Sequence, residues 1–120
     1  MFRIICKSKI HGAEVTEKKI EYEGSITVDD KILKEADILP GERVDVFDLT
    51  NGKRFTTYAI SGEKNSGTIC VNGAAARLVE IGDRLIIVSW ALVSEEEATN
   101  FKKKVVFVGK GNKIKKREEK

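Results

Sequence analysis

The sequence predicts an all-β fold that closes into a barrel, with a few short helices and an approximate twofold symmetry. Apolar and polar residues alternate along much of the chain, and a period of two is typical of half-buried strands. Ile38–Val44 and Val79–Leu85 also share a pattern in which an apolar anchor, a glycine, an acid and an arginine precede a strand. Because the two glycines lie 41 positions apart, we expect two related halves wound into one barrel, which would leave no exposed sheet edge.

The strands are predicted as short runs separated by turns. Leu85–Trp90 is a near-continuous apolar run, which indicates a strand buried on both faces. Asn51-Gly52 favours a type I′ hairpin turn between two of the strands. The predicted strands are Phe2–Cys6, Val44–Leu49, Phe55–Ile60, Thr68–Val71, Leu85–Trp90 and Lys104–Val108.

The helices are predicted to be few and short. Asp29 is placed to cap a helix that ends before Pro40, the only proline. Ser94 and Glu97 have the spacing of a capping box, and Asn72 is expected to cap a brief turn. The first of these helices should bury Ile32, Leu33 and Ala36.

Length and composition indicate one soluble globular domain. The chain has 120 residues, of which 41% are hydrophobic and 34% charged. No apolar run approaches the length of a membrane span, and the N-terminus is too short for a signal-peptide core, so we expect a cytoplasmic protein without a membrane partner. Cys6 and Cys70 lack CxxC spacing and are expected to be buried free thiols.

The positive charge is concentrated at the C-terminus. Residues 110–120 carry six basic and two acidic side chains, whereas 1–109 carry 16 basic and 17 acidic ones. We therefore predict a domain over 1–109 and a basic, disordered tail over 110–120. No aromatic residue is interleaved with the lysines of the tail, which argues against nucleic-acid binding.

Gly24-Ser25 is the only Gly-Ser dipeptide in the sequence. A serine hydroxyl in a strained Gly-Ser bond can attack the glycine carbonyl and shift the acyl group from nitrogen to oxygen. Glycine would favour this attack because it leaves the carbonyl uncrowded and tolerates unusual backbone angles. β-Elimination and hydrolysis then leave a pyruvoyl group at a new N-terminus. Taken alone, the dipeptide is a weak signal, and sequence frequency favours an ordinary turn.

Three other clusters carry reactive groups. Lys9 and His11 alternate and therefore share one face of an extended segment. The strand after the Asn51-Gly52 turn carries several polar side chains, and Asn72–Ala76 presents small residues and free backbone N–H groups, which suit an anion or oxyanion. Each cluster alone also fits a structural role. The polar residues of that strand are Arg54, Thr57 and Tyr58.

Together these segments resemble the motifs of the pyruvoyl-dependent aspartate 1-decarboxylase family. The resemblance covers Met1 to about Val108 in order, and it implies a six-stranded double-psi β-barrel and a homotetramer with active sites between neighbouring subunits. No metal ion is expected, and a helper protein for maturation is left open. The matching segments are Lys9-Ile10-His11, Tyr22-Glu23-Gly24-Ser25, Thr50–Ile60 and Val71–Ala76.

The resemblance also implies a proenzyme that cleaves itself between Gly24 and Ser25. The products are a β chain, residues 1–24, and an α chain, residues 25–120, that begins with the pyruvoyl group formed from Ser25. Its carbonyl forms a Schiff base with L-aspartate, which is converted to β-alanine and CO2 for pantothenate and coenzyme A synthesis.

Residue roles follow from the same resemblance. Tyr58 donates a proton to the carbanion, and Arg54 binds the retained side-chain carboxylate of the substrate, because gripping the departing carboxylate would stabilise the ground state. Lys9 adds positive charge that selects a dianionic substrate. Thr57 donates to the oxyanion of self-cleavage and lies in the substrate site. Backbone groups of Gly73, Ala74 and Ala75 hold the substrate, and His11, Tyr22 and Asn72 match positions near the cleavage site.

Other interpretations of the sequence stay open, and two positions depart from the family pattern. The alternatives are a double-psi barrel that only binds a ligand, a nucleic-acid binder that uses the basic tail, and a decarboxylase of glutamate or another amino acid. Gly12 replaces an expected larger residue, and Phe47 stands where some members have an indole. Neither position is expected to touch the chemistry.

Overall fold

The computed structural model describes all residues from Met1 to Lys120 and confirms the all-β prediction. Two short α-helices and two 3₁₀ helices connect nine strands. The helices are α1 (Asp30–Glu35) and α2 (Glu95–Thr99), and the 3₁₀ helices are Gly73–Leu78 and Lys110–Asn112. The strands are β1 (Phe2–Glu14), β2 (Glu17–Lys19), β3 (Ser25–Asp29), β4 (Arg43–Asp48), β5 (Arg54–Gly62), β6 (Ile69–Asn72), β7 (Arg84–Ser94), β8 (Lys104–Val108) and β9 (Ile114–Glu119).

Six strands close into the barrel. The strand order is β2-β6-β3-β5-β4-β7-β1-β8-β9, and β2 follows β1 after only Val15 and Thr16. Val15 N donates to Asp83 O at 2.9 Å, and Thr16 N donates to Ile69 O at 2.9 Å, so the chain passes directly from the β7 side to β6. Counting β1 and β2 as one bent strand, the six-stranded barrel is confirmed, with β8 and β9 added outside it. The strand order is that of a double-psi β-barrel.

The predicted twofold symmetry is visible in the two glycine turns. Gly41 N donates to Ala59 O at 2.7 Å, and Gly82 N donates to Val15 O at 2.8 Å. The two glycines have φ values of +90° and +97°, a left-handed region that disfavours other residues. Each turn leads directly into a strand of the barrel, β4 in one half and β7 in the other.

Strands related by this symmetry pair with each other at its axis. β3 pairs antiparallel with β6, and β4 pairs antiparallel with β7. Val46 lies opposite Ile87, and these residues have the same separation in sequence as the two glycines. Both side chains are fully buried in the core, which all these strands share.

The predicted caps of the two α-helices are present. Asp29 Oδ1 accepts from Lys31 N at 2.9 Å and caps α1, which buries Ile32 and Leu33. A capping box between Ser94 and Glu97 starts α2. Neither of these helices has the length and apolar character needed to cross a membrane, and the same is true of the 3₁₀ helices.

The hairpin between β4 and β5 turns at the predicted position. Gly52 has a φ of +77°, and Asp48 Oδ1 accepts from Thr50 N at 2.8 Å inside the turn. The prediction that Leu49 belongs to the preceding strand is wrong, because β4 ends at Asp48 and Leu49 begins the turn.

The prediction of a disordered tail over 110–120 is corrected by the structure. β9 pairs antiparallel with β8, so these residues extend the sheet. A buried asparagine fixes the turn before β9, since Asn112 Nδ2 donates to Glu14 O at 2.9 Å and to Gly67 O at 2.8 Å. At its far end, Arg117 Nε donates to the carbonyl of Glu35 at 2.8 Å. These tertiary contacts hold a segment whose composition is typical of a frayed terminus.

Candidate active site

Ser25 begins β3 and is only 2% exposed. It lies opposite Asn72, the last residue of β6, in the antiparallel ladder. Asn72 Nδ2 donates to Ser25 Oγ at 3.0 Å, and the Ser25 hydroxyl donates to the carbonyl oxygen of Glu23 at 3.3 Å. The hydroxyl next to the Gly24–Ser25 bond is therefore buried and held by two polar partners.

Asn72 does not act as the helix cap that the sequence suggests. Its side chain makes no capping hydrogen bond to the 3₁₀ helix Gly73–Leu78. Instead, Nδ2 also donates to Thr27 Oγ1 at 3.1 Å, and Oδ1 accepts from the Cys70 thiol at 3.2 Å. The side chain points across the ladder because residues opposed on paired strands project to the same face. We call Ser25, Thr27, Cys70 and Asn72 the serine cluster.

Gly24 is packed against Gly73. A Cβ on Gly73, whose φ is +77°, would lie 2.7 Å from Gly24 Cα and 2.9 Å from Gly24 N. At Gly24 itself, a Cβ would meet nothing within 4 Å, and its φ lies outside the left-handed region. The expectation that Gly24 supplies unusual backbone angles is therefore not met. The glycine that the geometry requires at this bond is Gly73.

Strand register places Tyr58 and Thr57 beside the Gly24–Ser25 bond. β3 and β5 are parallel, with Ile26 opposite Ala59. Continuing this register by two residues puts Tyr58 at the level of Ser25 and Thr57 at the level of Gly24. Tyr58 is 40% exposed on the outer face, whereas Thr57 is half-buried on the inner one, and neither hydroxyl has a hydrogen-bond partner. Both are free to interact with another group.

Arg54 lies at the start of β5 in a row of opposed residues. Phe47 of β4 faces Arg54, Ile86 of β7 faces Phe47, and His11 of β1 faces Ile86. The Arg54 guanidinium stacks 4.1 Å from the centre of the Phe47 ring. The Phe47 ring therefore contacts the arginine that the resemblance implies for substrate binding, a contact that the sequence interpretation did not expect.

Lys9 and His11 share the outer face of β1, as predicted. The His11 ring packs against Phe107 with a centroid distance of 5.7 Å. Burial lowers the pKa of His11 below its ordinary value, and the charges of Lys9 and Arg84 lower it further, so the ring is neutral at pH 7. Neither Lys9 nor Arg54 forms an ion pair. We call Lys9, His11 and Arg54 the basic face.

Within one chain the basic face and the serine cluster are apart. Arg54 and Tyr58 are four residues apart on one strand, which corresponds to about 13 Å. The Arg54 guanidinium leans toward β4, whereas Ser25 lies on β3, on the other side of β5. The structure therefore brings Gly24, Ser25, Asn72 and Gly73 together, with Tyr58 and Thr57 beside them, but not the basic face.

The remaining predicted site residues lie near the Gly24–Ser25 bond but are more exposed. Tyr22 is 55% exposed, and its carbonyl oxygen would lie 3.1 Å from a Cβ on Gly73. Ala74 is exposed at the start of the 3₁₀ helix, and Ala75 packs partly against the core. Residues 73–75 thus form a surface of small residues beside Ser25.

The sequence interpretation missed Thr27, Cys70 and the Glu23 carbonyl, which all contact Ser25 or its partner Asn72. The signal was the spacing of two residues between Ser25 and Thr27, and between Cys70 and Asn72, which puts each pair on one face of its strand. Recognising the cluster also required knowing that the two strands pair.

Gly12 occupies a β-bulge with a left-handed backbone conformation that favours glycine. Its φ is +90°, the register of β1 shifts between His11 and Ala13, and a Cβ would lie 2.6 Å from an Arg84 nitrogen. This departure from the expected larger residue therefore accommodates Arg84, whose Nε donates to the carbonyl of Gly12 at 3.3 Å.

Comparison with known proteins gives matches over nearly the whole chain. The aspartate decarboxylase family model matches residues 1–115, so the likeness continues past Val108. An aspartate 1-decarboxylase of Thermoanaerobacter pseudethanolicus is 56% identical over 94% of this chain and 97% of that protein. The aspartate 1-decarboxylases of Caldicellulosiruptor bescii and Acetivibrio thermocellus are each 54% identical over 95% of this chain, and over 89% and 90% of their own lengths.

Proposed function

Because the chain belongs to the aspartate decarboxylase family, we propose that its precursor cleaves the Gly24–Ser25 bond and converts Ser25 into a pyruvoyl group. The chain decarboxylates L-aspartate to β-alanine and CO2, the reaction that supplies pantothenate synthesis. The observation that carries the cleavage proposal is the buried Ser25 hydroxyl, which accepts a 3.0 Å hydrogen bond from Asn72 beside the peptide bond that it attacks.

Self-cleavage begins with the attack of Ser25 Oγ on the carbonyl carbon of Gly24. The C–N bond breaks, the hydroxyl proton passes to the released amine, and residues 1–24 are held as an ester. β-Elimination removes the Cα proton of residue 25 and releases the Gly24 carboxylate. Cβ of the resulting enamine then takes up a proton, which gives an imine at Cα, and water hydrolyses this imine to the ketone and releases ammonia. Each bond broken is matched by one formed, and no oxidant is required.

Two hydrogen-bond donors support the first step, the Thr57 hydroxyl and the Asn72 side-chain amide. The Thr57 hydroxyl, at the level of Gly24 on β5, is the donor for the oxyanion that develops on the Gly24 carbonyl. Asn72 Nδ2 holds Ser25 Oγ in place, so that little motion is needed before the attack. Because Gly73 has no Cβ, Gly24 can approach it closely and keep the scissile peptide against the cluster.

In the mature enzyme, the pyruvoyl group would supply an electron sink for the negative charge left on the substrate when CO2 departs. The Tyr58 phenol, beside residue 25 in register, donates a proton to the substrate carbon. Arg54 holds the retained carboxylate of aspartate through its bidentate fork, and Lys9 adds positive charge. The backbone of Gly73–Ala75 holds the other end of the substrate.

The separation within one chain supports an active site shared between subunits. Arg54 leans away from Ser25, so the basic face that meets a given Ser25 belongs to a second copy. We therefore propose a homotetramer with active sites between neighbouring subunits. His11 and Tyr22 then border the shared site. We also propose that the assembly is cytoplasmic.

The proposal is tested by intact-mass spectrometry of the purified full chain during incubation. We expect conversion of one species into fragments 1–24 and 25–120, with residue 25 carrying the mass of a pyruvoyl group. The matched control is Ser25→Ala, which lacks the nucleophilic hydroxyl and should remain one species. A parent chain that stays uncut would overturn the proposed self-cleavage and favour the alternative of a barrel that only binds a ligand.

The substrate is tested separately on the cleaved protein. β-Alanine and CO2 should form from L-aspartate, while L-glutamate, one methylene longer, should react much more slowly. Equal or faster turnover of glutamate would contradict the assignment of Arg54 and Lys9 to a carboxylate at the distance of the aspartate side chain.

A further inference from the structure

Cys70 is a buried thiol that the reaction described above does not use. It lies opposite Thr27 in the β3–β6 ladder, one pair away from Ser25 and Asn72. Its side chain is 3% exposed, and its Sγ is 3.2 Å from Asn72 Oδ1. The thiol therefore contacts the group that holds the nucleophile, without contacting the nucleophile itself.

The hydrogen bonds of Asn72 define the orientation of its side-chain amide. An amide nitrogen has two N–H groups, and here these are used by Ser25 Oγ at 3.0 Å and Thr27 Oγ1 at 3.1 Å. Oδ1 then faces the thiol, whose S–H is the only side-chain donor that reaches it. Rotating the amide by half a turn would set its NH2 group against sulfur, a weak acceptor, and would take the N–H away from Ser25.

The thiol is suited to act as this donor. Burial raises the pKa of Cys70 above its ordinary value, and the charge of Glu17 raises it further, so the sulfur keeps its proton at neutral pH. A protonated thiol can donate to Oδ1, whereas a thiolate would repel it.

We propose that Cys70 is a positioning residue for self-cleavage, in that its thiol fixes the orientation of the Asn72 amide and thereby holds Ser25 Oγ for attack on Gly24. This inference rests on the proposed function and adds a residue to it. It predicts that the rate of cleavage depends on a donor at position 70, and not on sulfur as such.

The test compares cleavage rates of purified full-length chains by intact mass. Cys70→Ala should slow cleavage about fivefold, the factor that corresponds to about 1 kcal/mol for one lost hydrogen bond. Cys70→Ser retains a donor and should cleave within about twofold of the parent rate, while melting temperatures report folding separately. Cys6→Ala is the matched control, because Cys6 lies on β1 and its thiol reaches only the Ser8 carbonyl, at 3.8 Å.

Each outcome decides the inference. Slow cleavage in Cys70→Ala with rescue in Cys70→Ser supports it, and equal rates in Cys70→Ala and Cys70→Ser, whether fast or slow, overturn it while leaving the proposed function intact. If Cys70→Ala does not fold, Cys70→Val fills the same space without a donor and should be slow against Cys70→Ser. A parent chain that never cleaves overturns both the inference and the proposed self-cleavage.

Discussion

The serine cluster and the basic face lie on the same barrel but are built in opposite ways. In the serine cluster, the Asn72 side chain is almost fully buried and uses both ends of its amide in hydrogen bonds. On the basic face, Lys9 and Arg54 have no ion-pair partner, and Arg54 is exposed beside the Phe47 ring. The hydrogen bonds of the serine cluster are all made within one chain, whereas the basic face presents two cations without ion-pair partners.

This difference matches two separate requirements. Self-cleavage needs a nucleophile that is fixed relative to its own backbone, which burial and a closed hydrogen-bond network provide. Substrate binding needs a cation that is still free when the anionic substrate arrives. Substitutions in the two regions should therefore affect different steps, and measuring cleavage and turnover separately tests this division.

The largest effect is expected for Ser25→Ala. Without the hydroxyl there is no nucleophile for the Gly24 carbonyl, so both cleavage and decarboxylation should fall to background. Thr27→Ala, which removes a second hydroxyl from the same cluster, should still cleave. Cleaved fragments in Ser25→Ala, seen by intact mass, would show that another group breaks the bond.

Arg54→Ala should lower kcat/KM for aspartate about 100-fold, since a lost charge-assisted bidentate contact costs about 3 kcal/mol. The cleavage rate should stay at the parent value, because Arg54 leans away from Ser25. Lys53→Ala, one residue earlier in the same hairpin, serves as the control and should keep its activity. Failure of cleavage in Arg54→Ala would place that residue in the maturation step.

Gly73→Ala should slow cleavage about tenfold and reduce the free energy of unfolding by about 1–3 kcal/mol, the cost of a strained backbone conformation. The new Cβ would lie 2.7 Å from Gly24 Cα, so the scissile bond has to shift. Gly41→Ala is the matched control, because its φ is +90° but no atom lies within 4 Å of the added Cβ. It should lose comparable stability and cleave normally. Equal cleavage rates in the two variants would show that the contact between Gly73 and Gly24 does not affect cleavage.

The smallest effect concerns the buried carboxyl pair under the β4–β5 hairpin. Asp48 is 2% exposed, and burial raises its pKa, with a hydrogen bond to the Asp83 carboxyl as the next cause. The same hydrogen bond lowers the pKa of Asp83. The folded state therefore favours the protonated form of Asp48, and the stability from Asp48 is present below its unfolded pKa and lost as pH rises through its raised value.

Asp48→Asn supplies a permanent N–H in place of that proton. Relative to the parent, its free energy of unfolding should therefore increase between about pH 4 and pH 8 by about 1 kcal/mol, measured by urea unfolding. Asp45→Asn is the control, because hydrogen bonds from Thr56 and then Trp90 lower the pKa of Asp45, and its loss should destabilise as pH rises. A pH-independent difference for Asp48→Asn would contradict the raised pKa of Asp48.

Local sequence signals predicted the features that depend on neighbouring residues. Gly41 and Gly82 indicated two equivalent turns, Asn51-Gly52 indicated the hairpin, and Asp29 indicated a helix start, because each acts within a few residues. The family resemblance supplied the importance of Gly24-Ser25, which composition and alternation alone did not.

Features that depend on pairing between distant strands were not predictable. The partner of Asn72 is decided by the β3–β6 ladder rather than by the turn that follows it, so the expected cap was wrong. β9 is rich in charge and has little apolar alternation, and it forms because β8 offers a free edge and Asn112 is bound by Glu14 and Gly67.

Reductive trapping tests the central claim most directly, since it requires the new N-terminus and its substrate together. The purified protein is incubated with isotope-labelled L-aspartate and borohydride, and the fragments are separated and sequenced. We predict that the label is attached to residue 25 of the 25–120 fragment, and that Ser25→Ala carries none. Label on an uncut chain, or on a lysine instead of residue 25, would contradict the account.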